Sequence, residues 1–148
     1  RGTEHPFKII GAPWVDSSNL MSYIKHLKDT KYGDKVIIKE LQFIPVSNQG
    51  AKNPKYENQT CYGIFIEYLD KSIEPINLAI DLLAYFNNYD DFSFKDSFFD
   101  TLYGNSDLRL SIMDADNFDK IIASIKHDVT KFKEFRKDYL IYKQKYRQ

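Results

Sequence analysis

The sequence predicts a mixed α+β fold of the α/β class, in which helices pack on a central sheet of a few strands and a long helix lies near the C-terminus. The strand signal is a strict alternation over residues 61–68, and the helix signal is a one-face apolar repeat over residues 118–135. The 148 residues are 43% hydrophobic and 16% aromatic, which excludes a disordered chain and suffices for one buried core. The sequence therefore predicts a single domain over residues 1–148.

The first fourteen residues are punctuated by glycine and proline. Between these residues lies a short apolar run of Phe7, Ile9 and Ile10, which predicts a loop, a brief strand and a stiff turn that carries Trp14. The chain has no initiator methionine and starts with a glycine-bearing loop of this kind. We therefore expect it to be a processed or truncated piece of a longer protein.

A helix and a first long strand are predicted next. Asp16 or Ser17 can cap a helix whose apolar residues share one face and which ends before Tyr32. Residues 36–46 are apolar on both sides, which is typical of a strand buried in the middle of a sheet. A polar loop over residues 47–58 then leads to the alternating strand.

The second half is predicted to be helical. Pro75 can begin a broadly apolar, buried helix, and Asp116 can cap the long helix near the C-terminus. Eight aromatic residues lie between Tyr85 and Tyr103; a sugar- or base-stacking platform is conceivable there, but core packing is the interpretation we favour. The face predicted to be buried in the helix from Pro75 consists of Ile76, Ala79, Ile80, Leu83 and Phe86, widened by Leu78 and Leu82.

Charge and residue types argue against several classes of function. The 21 basic and 21 acidic residues balance, so nothing calls for nucleic acid or an anionic membrane, and no apolar stretch approaches the roughly 20 residues of a membrane span. His5, His26 and His127 are scattered, and Cys61 in a strand is predicted to be a buried, inert thiol. The sequence thus predicts no metal and no cofactor. It also singles out no pair of carboxylates for glycoside hydrolysis.

Four blocks of residues occur in the order and spacing of a known family. The blocks are Arg1-Gly2-Thr3 with Pro6-Phe7, Gly11-Ala12-Pro13-Trp14 and Asp16; Phe43-Ile44-Pro45 with Lys55-Tyr56 and Gln59-Thr60-Cys61-Tyr62-Gly63-Ile64; Phe98-Phe99-Asp100 with Leu102 and Gly104; and Phe132 with Phe135-Arg136-Lys137-Asp138-Tyr139-Leu140-Ile141-Tyr142. Together they resemble the C-terminal domain of the NamZ-type exo-β-N-acetylmuramidases of bacteria. The resemblance spans nearly the whole chain.

The resemblance implies a hydrolase that removes N-acetylmuramic acid from the non-reducing ends of peptidoglycan fragments. In that family the active-site cleft lies between two domains, and the candidate catalytic carboxylates belong to an N-terminal, Rossmann-like domain that is absent from this chain. We therefore expect no catalytic residue here, no activity of this chain alone, and a secreted, periplasmic or cell-envelope location.

The chemistry of the expected ligand suggests which residues contact it. N-acetylmuramic acid carries a carboxylate and an N-acetyl group on a sugar ring, so its binding wall needs a cation, hydrogen-bond donors and an apolar face. Arg1, Thr3, Trp14, Lys55 and Tyr56 supply these groups and are the predicted substrate-binding residues. Glycines at positions 2, 11 and 63 are instead expected to serve tight turns or close strand approach.

The alternative interpretation is a non-catalytic module that binds the cell wall, a carbohydrate or another protein. Such a module would use the same sugar-facing loops, so the motifs of this chain do not separate it from a piece of an enzyme. The coding region upstream of Arg1 would separate them, because an enzyme of this family requires a Rossmann-like domain there.

Overall fold

The computed structural model describes residues 1–114 and 118–141. Among these residues it shows a mixed α+β fold with a long C-terminal helix, which confirms the predicted class. Contacts divide the chain into two compact units, Arg1–Glu74 and Pro75–Gln148, and each is described by itself. The single-domain organisation stays a prediction. The strands are β1 Ile9–Ala12, β2 Val36–Phe43 and β3 Cys61–Tyr68, and the helices are α1 Ser17–Leu27, α2 Pro75–Phe86, α3 Asp96–Tyr103, α4 Asp107–Met113 and α5 Phe118–Phe135.

The first unit is built on a three-stranded antiparallel sheet in the order β1-β3-β2. The alternating segment predicted to be a strand is β3, and it lies in the centre with Ile64 fully buried. Helix α1 packs against β2 and β3 through Leu20, Ile24 and Leu27, which are all buried. These contacts form the core of the first unit because they remove the apolar stripe of the helix from water.

The position predicted for the first long strand is wrong. Strand β2 is an edge strand rather than a central one, and it ends at Phe43 instead of Val46. Val36 and Ile38 in its first half are buried, whereas Glu40 in its second half is exposed. Apolar residues on both sides of a strand usually mean burial on both faces, but here the burial is confined to the first half of the strand.

The first helix begins as the sequence predicts. Asp16, rather than Ser17, is the cap: its carboxylate Oδ1 accepts a hydrogen bond of 2.9 Å from the backbone N–H of Asn19. The α-helix ends at Leu27 and continues as a π-helical turn over Lys28–Tyr32. Helical structure therefore extends through Tyr32, which was predicted to lie just beyond its end.

Two glycines face each other across β1 and β3. Gly11 and Gly63 are register partners, and a Cβ at Gly63 would lie 2.1 Å from the carbonyl oxygen of Ile10. A Cβ at Gly11 would lie 2.3 Å from the carbonyl oxygen of Tyr62. Because no side chain fits at either distance, the pair lets the two backbones approach closely, as predicted.

The second unit is helical in the residues described. Its core contains Ile80, Leu108, Ile112, Ile121 and Ile122. Helix α2 begins at Pro75 as predicted, but the predicted face is only partly correct. Ile76 and Ala79 are exposed, while Asp81 is buried. The apolar residues on α2 surround the helix, so periodicity alone cannot tell which of them face inward.

Most of the clustered aromatic residues pack together, as predicted. Successive ring contacts join Tyr85, Phe86, Phe92, Phe94 and Phe99. Phe98 differs because its side chain is largely exposed.

Asp116, the predicted cap of the long helix, lies outside the described residues, and the helix itself is α5.

Candidate functional site

The N-terminal segment is fastened to the loop between β2 and β3. The backbone N–H of Val46 donates to the carbonyl oxygen of Gly2 at 2.9 Å, and that of Asn58 donates to Pro45 at the same distance. Gly2 has a φ of 74°, and a Cβ there would lie 2.8 Å from Cγ of Pro54. Glycine is thus required at position 2 both for its conformation and for its close contact with the loop.

Side chains within this loop hold its backbone. Glu57 Oε1 accepts from the N–H of Ser47 at 3.0 Å, and Ser47 Oγ accepts from the N–H of Asn53 at 3.1 Å. Asn48 Oδ1 accepts from the N–H groups of Gly50 and Ala51. These hydrogen bonds preorganise the loop. Binding residues on such a loop lose little conformational entropy when a ligand binds.

Arg1 and Thr3 line one cavity of about 440 Å³. Arg1 is exposed and Thr3 is half-buried, and both residues border the same space. The other residues that line it are Gly2, Pro6, Phe7, Ile9, Asn48, Gly50 and Ala51. The cavity therefore combines one cation and a hydroxyl with apolar walls, the composition of a small-ligand site.

Lys55 and Tyr56, on the neighbouring part of the loop, form a separate cluster with Trp14, which lies between β1 and α1. Trp14 Nε1 donates to the Tyr56 hydroxyl at 2.9 Å, and the Lys55 ammonium lies 4.8 Å from the centre of the Tyr56 ring. Tyr56 has a φ of 62°, a conformation that few non-glycine residues adopt. The five predicted binding residues thus fall into two groups.

The structure adds Phe7 to the candidate site, a residue that the sequence places in the first family block and in an apolar run leading into a strand. Strand β1 begins at Ile9, and Phe7 lies before it on a turn, fully exposed and on the wall of the Arg1 cavity. Trp14, which was predicted to supply the apolar face, is half-buried and bonded to Tyr56. A local signal in the sequence is Pro6, which favours a turn with Phe7 at its next position.

A second depression of about 590 Å³ lies where α1 begins beside the sheet. Its polar lining comes from Asp16, Ser17, Glu40, Gln42 and Tyr62. Both oxygens of the Asp16 carboxylate accept hydrogen bonds from Asn19, so this group is committed to capping α1. Glu40 is the other carboxylate in the depression.

Metal binding and thiol chemistry find no support in the described residues. Among residues 1–114 and 118–141, no group of three or more His, Cys, Asp or Glu is arranged to hold a metal ion. Cys61 is fully buried, and burial raises the pKa of its thiol, which disfavours the reactive thiolate. No helix in the described part of the chain is long and apolar enough to cross a membrane.

The first unit thus carries both groups of predicted binding residues on a small α+β scaffold. The family described as exo-beta-N-acetylmuramidase NamZ, C-terminal, matches residues 1–142, and the chain belongs to this family. Peptidoglycan beta-N-acetylmuramidase NamZ of Bacillus subtilis (strain 168) is 27% identical over 146 residues, which cover 96% of this chain and 33% of the relative.

A crystal structure of a DUF1343 family protein from Bacteroides fragilis has a similar fold, with a TM-score of 0.62 and 31% sequence identity. The match covers 97% of this chain and 36% of that one. The present chain therefore spans about a third of the length of these two relatives.

Proposed function

We propose that this chain forms one wall of the substrate cleft in an exo-β-N-acetylmuramidase. The longer enzyme would release N-acetylmuramic acid from the non-reducing ends of peptidoglycan fragments. Membership of the NamZ C-terminal family and the activity named for the Bacillus subtilis relative support this proposal. Its partner would be an N-terminal, Rossmann-like domain of the same protein. Because peptidoglycan lies outside the cytoplasmic membrane, the enzyme would be secreted, periplasmic or associated with the cell envelope.

The observation that carries the proposal is the joint placement of Arg1 and Thr3 on one cavity. The guanidinium of Arg1 would bind the lactyl carboxylate of the sugar in a bidentate manner, and the hydroxyl of Thr3 would donate to a neighbouring oxygen. Lys55 and Tyr56 would contact the substrate further along the same loop. These contacts position the glycosidic bond, while the carboxylates that break it would come from the N-terminal domain.

Replacing Arg1 in the longer protein tests this role. An arginine–carboxylate hydrogen bond is worth about 1.5–3 kcal/mol, so Arg1→Ala should lower kcat/KM roughly 10- to 150-fold. Thr3→Val should cost less, because a neutral hydroxyl contributes less. Kinetics on a chromogenic N-acetylmuraminide give the change in kcat/KM. Unfolding midpoints should barely move, since substitutions at exposed loop positions usually change stability by less than about 0.5 kcal/mol.

Two control variants make the result specific. Lys52→Ala removes an exposed positive charge next to Ala51 in the chain and should leave kcat/KM unchanged. Arg1→Lys keeps the charge but loses the planar fork, so its activity should stay below that of the unaltered enzyme. If Arg1→Ala retains full efficiency, or loses it together with a large drop in stability, Arg1 serves the fold and the proposed binding role is wrong.

A further inference from the structure

The turn over His5–Lys8 places an aromatic residue where glycine is expected. The N–H of Lys8 donates to the carbonyl oxygen of His5 at 3.3 Å, Pro6 is the second residue of the turn, and Phe7 is the third with a φ of 66°. In a turn with proline second and positive φ third, glycine or asparagine normally takes the third position. A bulky aromatic residue there is a backbone outlier, and such outliers concentrate at functional sites.

Both ends of this turn are fixed to strand β3. The Lys8 ammonium forms a 2.8 Å ion pair with Glu67, and the N–H of Ile66 donates to the Lys8 carbonyl oxygen at 2.7 Å. The His5 ring meets the Phe65 ring edge to face at 5.6 Å. These contacts hold the backbone on both sides of Phe7, and the Phe7 side chain has a relative exposure of 104%.

Packing within the first unit does not account for this residue, because a fully exposed ring contributes nothing to the core. Phe7 also lines the cavity that contains Arg1 and Thr3. We propose that Phe7 is a sugar-binding residue whose ring lies against the apolar C–H face of the pyranose while Arg1 holds its carboxylate. This proposal rests on the proposed function and assigns to Phe7 the apolar contact that was predicted for Trp14.

The test compares Phe7→Gly with Phe7→Tyr in the longer protein. Loss of one aromatic contact should raise KM for the chromogenic N-acetylmuraminide roughly 2- to 12-fold. It should leave kcat nearly unchanged, because the contact is made equally in the ground and transition states. The inhibition constant of free N-acetylmuramic acid should rise in parallel. Phe7→Tyr should keep both constants within about twofold, since it retains the ring.

The unfolding midpoint of Phe7→Gly distinguishes a sugar-binding role of Phe7 from a structural one. Glycine adopts a φ of 66° without strain, so Phe7→Gly should leave the unfolding midpoint equal or higher. A lower midpoint, or new protease cleavage between domains, would mean that the ring docks on the N-terminal domain and would overturn the proposal. Unchanged KM and inhibition constants in Phe7→Gly, beside a clear loss in Arg1→Ala, would overturn it while leaving the proposed function standing. An unaltered protein that cleaves no N-acetylmuraminide would overturn both.

Discussion

At the scale of single residues, the close approach of β1 and β3 depends on the absence of two side chains. The Cβ added by Gly63→Ala would lie 2.1 Å from the Ile10 carbonyl oxygen, a backbone atom that cannot move without shifting the strand. We expect Gly63→Ala to destabilise the chain by about 1–3 kcal/mol, the usual cost of forcing extra atoms into a packed site. Urea unfolding followed by circular dichroism gives the change in midpoint.

Gly50→Ala is the matched control for this glycine. A Cβ there would meet only Asn48 Oδ1, at an ordinary 3.5 Å. Its stability should equal or slightly exceed that of the unaltered chain, because alanine restricts the unfolded state. Equal stabilities of Gly63→Ala and Gly50→Ala would show that the strands can separate at no cost.

Side-chain chemistry alone predicts some members of the candidate site and misses others. Arg1 and Thr3 are chosen for their functional groups, and the structure places them on one cavity. Trp14 is chosen for its ring, but the structure engages its indole N–H with Tyr56. Phe7 belongs to a family block but is not among the predicted binding residues, because an apolar run does not reveal which of its members leaves the strand. Their roles as substrate contacts stay predictions.

At the scale of secondary-structure elements, one arginine joins two short helices of the second unit. Arg109 on α4 donates from Nε and Nη2 to the two carboxylate oxygens of Asp100 on α3, at 2.8 and 2.7 Å. Asp96 lies 3.5 Å from the same guanidinium. Hydrogen bonding from Arg109 holds the pKa of Asp100 below its ordinary value. The bidentate geometry fixes how the two helices meet.

The ion pair between Arg109 and Asp100 should make the free energy of unfolding depend on pH. A carboxyl group with a lowered pKa in the folded state stabilises the fold fully above its unfolded pKa of about 3.9. That contribution is lost as the pH falls through the lowered pKa. We therefore expect Asp100→Asn to be less stable than the unaltered chain at neutral pH. The difference in unfolding free energy should shrink as urea titrations move from about pH 6 to about pH 2.

The exposed Asp91 offers a control for the general effect of removing one negative charge. Asp91→Asn should stay close to the unaltered chain across the same pH range, since exposed single charges contribute little. If Asp100→Asn shows a difference that does not vary with pH, the carboxylate charge is not what Arg109 stabilises.

At the scale of the whole molecule, substrate contacts are proposed for this chain and catalytic carboxylates for the N-terminal domain. The 148-residue chain alone is therefore predicted not to cleave an N-acetylmuraminide. Its contacts would position a substrate, but the acid and nucleophilic or basic carboxylates would lie in the N-terminal domain. Incubation of the purified chain with the chromogenic substrate should give a rate equal to that of buffer, whereas the longer protein should turn it over.

A rate comparable to that of the longer protein would place the chemistry in this chain. Asp16→Asn and Glu40→Gln would then be the variants to measure, because these carboxylates share the depression beside α1. A longer protein that binds peptidoglycan without cleaving it would instead favour the non-catalytic module.

Features that depend on local physics can be predicted from the sequence alone. The period of two gives β3, the Asp16 side chain gives the start of α1, and the fixed φ of Pro75 gives the start of α2. The family blocks carried the assignment to the NamZ C-terminal family, and the match over residues 1–142 confirms it.

Features that depend on residues distant in the chain are visible in the folded structure and not in local sequence patterns. Strand β2 lies at the edge because β3 pairs with both other strands, and no pattern within residues 36–46 specifies that order. Phe7 leaves the apolar run because His5 and Lys8 are fixed to β3, nearly sixty residues later. The sequence shows which chemical groups are present. Contacts between residues distant in the chain decide which of these groups share a cavity and which are buried.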